Sequence, residues 1–266
     1  MNENLKQALK EVKYVLLDMD GTIYLGDSPI GDMPNTLKFL REQGKKIIYL
    51  SNNTSKSADT YIEKLTKLGF YSPEDEIYSA GVASCEYLNK FYPGKKVYAM
   101  ATKSYRAELL KYGVNLVDDA NCDIALITYD TELNYKDLCT LVKALDNGAI
   151  YIATHPDNRC NTEDGFIPDI GSFIKMIEVS NGYTPILAIG KPNTIMGDNL
   201  KERLKVESKN FLMVGDRLDT DICFGLNNEF NTMLVLSGET TMEDAEKYPR
   251  KPDFILDSLN DIKNYF

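Results

Sequence analysis

Apolar residues along this chain fall into short continuous runs that alternate with segments of helical period. The run Tyr14–Leu17, taken up again at Met19, ends on Asp18, Asp20 and Gly21. A continuous run closed by a turn signal predicts a strand buried on both faces of a parallel sheet. Residues 2–12 read as a short helix leading into it. Residues 23–30, with Gly26, Asp27, Ser28 and Pro29, read as a hairpin or loop beside the two carboxylates. Met33, Leu37, Phe39 and Leu40 give residues 31–44 a helical apolar face that Gly44 closes. Ile47–Leu50 is a second buried strand leaving through Ser51-Asn52-Asn53-Thr54, and residues 57–68 form another amphipathic helix, ended at Gly69. This βαβα rhythm predicts a parallel sheet covered by helices.

From about Gly81 the alternation begins afresh. Residues 95–100, 115–117, 123–129 and 149–154 read as strands, and residues 103–111 and 134–146 as helices, the latter with Leu138, Leu141, Val142 and Leu145 on one side. Residues 154–171 are polar, rich in turn formers and long for a plain connection, which predicts a functional loop or a return linker; 172–178 is helical. The first pattern then resumes. Pro185–Ile189 is a strand leading to Gly190-Lys191-Pro192, with a helix over 193–204. Phe211–Val214 leads to Gly215 and Asp216, a helix spans 221–228, and Thr232–Leu236 is a strand. A short edge strand and a last helix finish the chain.

Composition narrows the chemistry. With 30 basic and 40 acidic residues the net charge is −10, which argues against a nucleic-acid or anionic-membrane partner. The N-terminus is of mixed charge and lacks an apolar core, so no secretory leader is expected, and no window reaches the ~18 apolar residues of a membrane span. Cys85, Cys122, Cys139, Cys160 and Cys223 are widely spaced and odd in number, which fits free thiols in a reducing, cytoplasmic setting. A single histidine, His155, nearly excludes a histidine-rich zinc site. Oxygen ligands are left to carry the chemistry, and these favour magnesium.

Four strand exits carry polar groups that could serve a single site. They present Asp18 and Asp20, Ser51, Lys191, and Asp216 with Asp221. Each alone has a plain alternative: Ser51 as a helix cap, Lys191 as a surface charge, Asp216 as turn chemistry. In a parallel sheet such exits converge on one edge, where ligands bind. Lys191 follows Ser51 by 140 positions, far beyond the roughly 30 of a βαβ unit, so an α/β domain is expected to be inserted there.

The motifs DMDGT (18–22), LSNNTS (50–55), GKPN (190–193) and GDRLDTDI (215–222) resemble, in order, the four motifs of the haloacid dehalogenase-like superfamily. SNNTS together with THPD (154–157) is similar to its NagD-like and para-nitrophenylphosphatase-like subgroup. The resemblance spans nearly the whole chain. It implies a Rossmann-like α/β catalytic core over 1–80 and 182–266, with a smaller α/β cap inserted over 81–181. It also implies a Mg²⁺-dependent phosphatase acting on small phosphorylated metabolites (nucleoside monophosphates, sugar or polyol phosphates and the like) through an aspartyl-phosphate. Carried over by residue, Asp18 is the nucleophile and Asp20 the general acid and base. Ser51 binds phosphate with help from Asn52, and Lys191 neutralises charge. Asp18, Asp216 and the carbonyl of Asp20 hold the metal, with Asp221 as a ligand or a support.

His155, before Pro156, reads as a hinge or a support for its neighbours, with substrate contact as the alternative. Asp157, Asn158 and Asn161 in the same loop are candidate substrate contacts. A homodimer through the inserted domain is left open. The competing functions are a phospho-accepting signalling module and a non-catalytic metabolite binder on the same scaffold. Motif order and length argue against the first, and the intact Asp18 and Asp20 against the second.

Overall fold

The fold is that of a computed structural model describing residues 2–162 and 165–266. Helix α1 (Asn2–Glu11) leads into β1 (Tyr14–Leu17). There follow a hairpin of β2 (Tyr24–Leu25) and β3 (Ser28–Pro29), then α2 (Met33–Glu42), β4 (Lys46–Ser51), α3 (Ala58–Lys67) and β5 (Glu76–Ser79). The chain runs on through α4 (Ala80–Phe91), β6 (Val97–Met100), α5 (Lys103–Lys111), β7 (Leu116–Val117), β8 (Ile124–Ile127), α6 (Tyr135–Asp146) and β9 (Ile150–Ala153). Next come β10 (Arg159–Thr162), β11 (Gly165–Pro168), α7 (Ile170–Asn181) and β12 (Leu187–Ala188). It closes with α8 (Ile195–Leu204), β13 (Phe211–Gly215), α9 (Cys223–Asn227), β14 (Asn231–Val235), α10 (Met242–Lys247) and β15 (Phe254–Leu256).

Two compact units result. The first comprises 1–51, 61–78 and 191–266, and the second 52–60 and 79–190. The first is built on a six-stranded sheet of order β15-β14-β13-β1-β4-β5. Strand β1 lies between β13 and β4, parallel to both, with Leu17 opposite Val214 and Tyr49. Val15, Leu16 and Leu17 are all fully buried, as a central parallel strand covered by helices on both faces requires. The second unit holds a five-stranded sheet of order β12-β9-β8-β6-β7, parallel throughout its pairings. Its core gathers Met100, Ile127 and Ala153 from strands and Leu141, Ile170 and Ile177 from helices. The protein is thus an α/β Rossmann-like parallel core with a smaller inserted parallel sheet.

The structure departs from or adds to the sequence pattern at three places. The apolar run before Lys191 does not rejoin the first sheet: β12 pairs with β9, Leu187 opposite Ile152. Burial periodicity reports that a strand is covered, not which sheet it joins, and β12 is only two residues long. Residues 154–171 are not a plain loop, because β10 and β11 pair antiparallel there. Residues 163–164 and the side chain of Asn161 lie outside the described residues. Strand β5 and helix α4 also escape the sequence pattern. The face that α4 buries consists largely of Ala80, Gly81, Ala83 and Ser84, which carry little hydrophobic signal.

Candidate active site

The turn after β1 is tightly bonded. Asp18 N–H donates to Val214 carbonyl oxygen at 3.0 Å, which carries the ladder one residue past the strand. The N–H groups of Thr22, Ile23 and Tyr24 all turn back onto the Met19 carbonyl. Gly21 sits at φ +82°, and a Cβ there would come within 2.5 Å of Asp216 Oδ2, so both conformation and space call for glycine. Asp20 is exposed in this turn.

At the end of β13, Asp216 is buried. Its Oδ2 accepts from Glu239 N–H at 2.7 Å, and its Oδ1 from the Thr22 hydroxyl at 3.4 Å. A Cβ at Gly238 would collide with the same carboxylate. Residues Leu218–Ile222 form a single π-helical turn rather than the start of an α-helix, a distortion common at functional sites, and α9 takes over only at Cys223. The turn brings Asp221 back toward its own strand, where Oδ2 accepts from Arg217 N–H at 3.2 Å.

Lys191 closes the cluster. Its ammonium, only 2% exposed as a side chain, donates to Asp18 Oδ1 and to Asp221 Oδ1, both at 2.6 Å, and to the Leu50 carbonyl at 3.5 Å. Burial alone would lower its pKa; the two carboxylates outweigh that and hold it above the ordinary lysine value. Burial and then Asp221 push the Asp18 carboxyl well above its usual value, against the pull of Lys191. Burial and Asp221 likewise raise Asp216 to about 7. Asp18, Asp216 and Asp221 each present a carboxylate oxygen within 4.8 Å of the others, a grouping that can hold a divalent cation. The Asp20 side chain is not one of the three.

Of the remaining predicted residues, Ser51 ends β4, buried, its hydroxyl 3.4 Å from the Tyr61 hydroxyl. Asn52, His155 and Asp157 belong to the second unit. There Asn52 Nδ2 donates to Asp157 Oδ2 at 3.1 Å, and His155 is fully buried. Sequence reasoning missed Thr22, Gly238, Glu239 and Asp169. The first three act on Asp216 by a hydroxyl, by empty space and by a backbone N–H, and the latter two leave no side-chain signature. Asp169 does leave one, as the N-cap of α7.

A parallel sheet with an acidic cluster at its strand ends and a buried lysine bonded to that cluster fits a hydrolase class, and comparison with known proteins agrees. Residues 15–115 match the family model of haloacid dehalogenase-like hydrolases, and 188–262 a second model of similar hydrolases. The chain belongs to the haloacid dehalogenase-like hydrolases, in the NagD and 4-nitrophenylphosphatase-like group with an inserted cap. It is 32% identical to an acid sugar phosphatase of Staphylococcus saprophyticus, over 96% of this chain and 98% of that one. A 4-nitrophenylphosphatase from Thermotoga maritima superposes with a TM-score of 0.93 at 35% identity, covering 97% and 99%. A glycerol phosphate phosphatase from Mycobacterium tuberculosis, solved with calcium, gives 0.88 at 26% identity, covering 96% and 76%.

Proposed function

We propose that this hydrolase is a Mg²⁺-dependent phosphatase of small phosphorylated metabolites, working through an aspartyl-phosphate on Asp18. The observation that carries the reading is the Lys191 ammonium held at 2.6 Å by both Asp18 and Asp221, beside Asp216. The names of its relatives (acid sugar phosphatase, glycerol phosphate phosphatase, 4-nitrophenylphosphatase) support a compact phosphomonoester as substrate.

The donor set fits magnesium. Three grouped carboxylates exceed what one ammonium neutralises, and burial, with Asp221 second, raises the Asp18 and Asp216 carboxyls. Oxygen donors suit a hard cation, and Mg²⁺ needs few protein ligands because it keeps waters. Asp18, Asp216 and the Asp20 carbonyl are the assigned ligands, with Asp221 as a ligand or a support. When bound, the ion supplies positive charge that eases the approach of a phosphate to the carboxylates.

The chain's own residues carry the displacement. The Asp18 carboxylate attacks phosphorus as the bond to the leaving oxygen breaks, giving an aspartyl-phosphate and dividing one difficult step into two. Asp20 gives a proton to the departing alkoxide, then takes one from the water that hydrolyses the acyl phosphate. Lys191 stabilises negative charge on the transferring group, and Ser51 with Asn52 holds its oxygens. We assign catalysis to 1–80 and 182–266 and substrate discrimination to the cap, 81–181, with His155 and Asp157 as supporting residues.

Five free cysteines support a cytoplasmic setting, and no helix among the described residues is long and apolar enough to cross a membrane. The charge of −10 supports the absence of a nucleic-acid partner. A homodimer through the cap remains part of the proposal. The test is phosphate release from a panel of phosphorylated metabolites and an aryl phosphate, with Mg²⁺ or EDTA, for wild type and Asp18→Asn. Turnover that needs Mg²⁺ and vanishes in D18N is expected; no D18N-sensitive turnover on any ester overturns the reading.

A further inference from the structure

Within the second unit, four side chains outside the acidic cluster form a chain of contacts. Asn52 Nδ2 donates to Asp157 Oδ2 at 3.1 Å. The same Asp157 oxygen lies 3.6 Å from His155 Nδ1, and His155 Nε2 lies 3.6 Å from Asp169 Oδ1. His155 is fully buried, and among the described residues neither ring nitrogen has a partner within hydrogen-bond length. The frame around Asp157 is stiff: Gly171 N–H donates to the Asp157 carbonyl at 2.7 Å, which latches the residue to the first turn of α7. At Gly171 itself a Cβ would press within 2.5 Å of the Pro156 carbonyl, so the latch admits no side chain. On its other side the Asn52 carboxamide rests against Gly190, where a Cβ would meet Oδ1 at 2.5 Å.

A buried imidazole between two carboxylates could suggest a second metal centre. The geometry points elsewhere. One ligand atom each of His155, Asp157 and Asp169 lies within 4.8 Å of the others, but the shortest ring contacts run from Nδ1 to Asp157 and from Nε2 to Asp169, so the ring spans the two carboxylates. Both carboxylates are also already in use, Asp157 by Asn52 and Asp169 by Ile170 N–H at 2.6 Å.

We infer that Asp157 is a positioning residue for Asn52, with His155 and Asp169 holding Asp157 in place. The inference rests on the proposed role of Asn52 in holding phosphate. Asn52 directly follows Ser51 at the exit of β4, so a carboxamide clamped between Asp157 and Gly190 restricts the backbone at that exit. The clamp preorganises the phosphate contact and takes no part in bond breaking. Its loss is felt equally by bound substrate and transition state, which raises KM and leaves kcat nearly unchanged.

The test is a double-mutant cycle on the Mg²⁺-loaded full chain, with Asp157→Ala, Asn52→Ala and the pair, reading KM, kcat and inhibition by inorganic phosphate. Each single variant is expected to raise KM and the phosphate inhibition constant about tenfold, with the double no worse than N52A. Asp157→Asn, which keeps an acceptor of the same shape, is expected to recover most of the loss. Multiplicative effects in the double variant overturn the inference, as does a D157A that lowers only the melting temperature. If wild type releases no phosphate, the functional reading has failed, and the clamp is read directly on the Asn52 side-chain amide resonance. D157A must then shift that resonance and speed its hydrogen exchange; an unmoved resonance overturns the clamp.

Discussion

Lys191 and Asp221 share a hydrogen bond of 2.6 Å in which both groups are almost wholly buried. With Asp18 at the same distance, the lysine is the cation that bridges these two carboxylates. Removing it leaves them uncompensated, Asp221 wholly buried and Asp18 mostly so. Breaking a buried pair in this way costs about 3–5 kcal/mol, and loss of a charge aimed at the transition state typically costs on the order of 10²–10³ in rate. Lys191→Met is therefore expected to melt lower in EDTA and to lose at least that activity. It should bind Mg²⁺ more tightly than wild type, because the ion no longer competes with the ammonium. Calorimetric titration decides this: weaker Mg²⁺ binding in K191M would mean that the lysine supports the metal site rather than opposing its charge.

The raised carboxyls make stability depend on pH in a direction opposite to ordinary acid denaturation. Burial and Asp221 lift Asp216 from the usual 3.8 to about 7. Between those values the folded protein holds a proton that the unfolded chain has released. The stabilising contribution is thus complete below about pH 4 and lost as pH rises through about 7. In EDTA the melting temperature of wild type is expected to fall by a few degrees more between pH 6 and 8 than that of Asp216→Asn, which cannot ionise there. Added Mg²⁺ selects the ionised carboxylates, so its stabilising effect on wild type should grow over the same interval. Parallel melting curves for wild type and D216N in EDTA would show that Asp216 does not titrate there.

How far the chain could be read beforehand follows from which signals are local. The first and second strands, the helix after each and the acidic turns were legible, because continuous apolar runs and turn formers record burial residue by residue. The pairing of β12 was not, since Leu187 and Ala188 look the same whichever sheet they join. In the sequence Lys191 stands out as a strand-exit charge if one sheet carries all four exits. It reaches Asp18 and Asp221 although the strand before it belongs to the other unit. Helix α4 was hidden by its small buried residues, though Ser79, which accepts from Val82 N–H, was a visible cap. The hairpin of β10 and β11 is hidden because Arg159–Thr162 is largely polar and Phe166 and Ile167 of β11 are both exposed, so no buried face marks a period. Asp20 stood out in the sequence on equal terms with Asp18, whereas its side chain lies apart from the three grouped carboxylates.

Glycine geometry supplies a paired test of how tightly Asp216 is held. Gly21 and Gly44 both adopt φ above +70°, but a Cβ at Gly21 meets Asp216 Oδ2 at 2.5 Å, while at Gly44 it meets nothing within 4 Å among the described residues. Left-handed backbone costs a non-glycine residue about 1–2 kcal/mol, so that much is common to both alanine variants. Only Gly21→Ala must also displace the carboxylate. Gly44→Ala is expected to lose a few degrees of melting temperature and keep its turnover, whereas G21A should lose turnover by about 10²-fold or more. Equal turnover in the two variants would mean that the Asp216 position tolerates movement.

The exposed position of Asp20 separates its role from that of the grouped carboxylates. A residue that only moves protons matters in proportion to how badly the leaving group needs one. Asp20→Asn should lower kcat about 10²–10⁴-fold on an alkyl phosphate, whose alkoxide leaves poorly without protonation. On an aryl phosphate, whose phenolate departs unaided, formation of the aspartyl-phosphate should be nearly spared while its hydrolysis stays slow. Rapid mixing of D20N with 4-nitrophenyl phosphate should then give a burst of nitrophenol close to one per enzyme, followed by slow turnover. Asp18→Asn should give no burst, since it lacks the attacking carboxylate. A D20N variant slowed equally on both esters, with no burst on the aryl one, would place Asp20 in metal or phosphate binding instead of proton transfer.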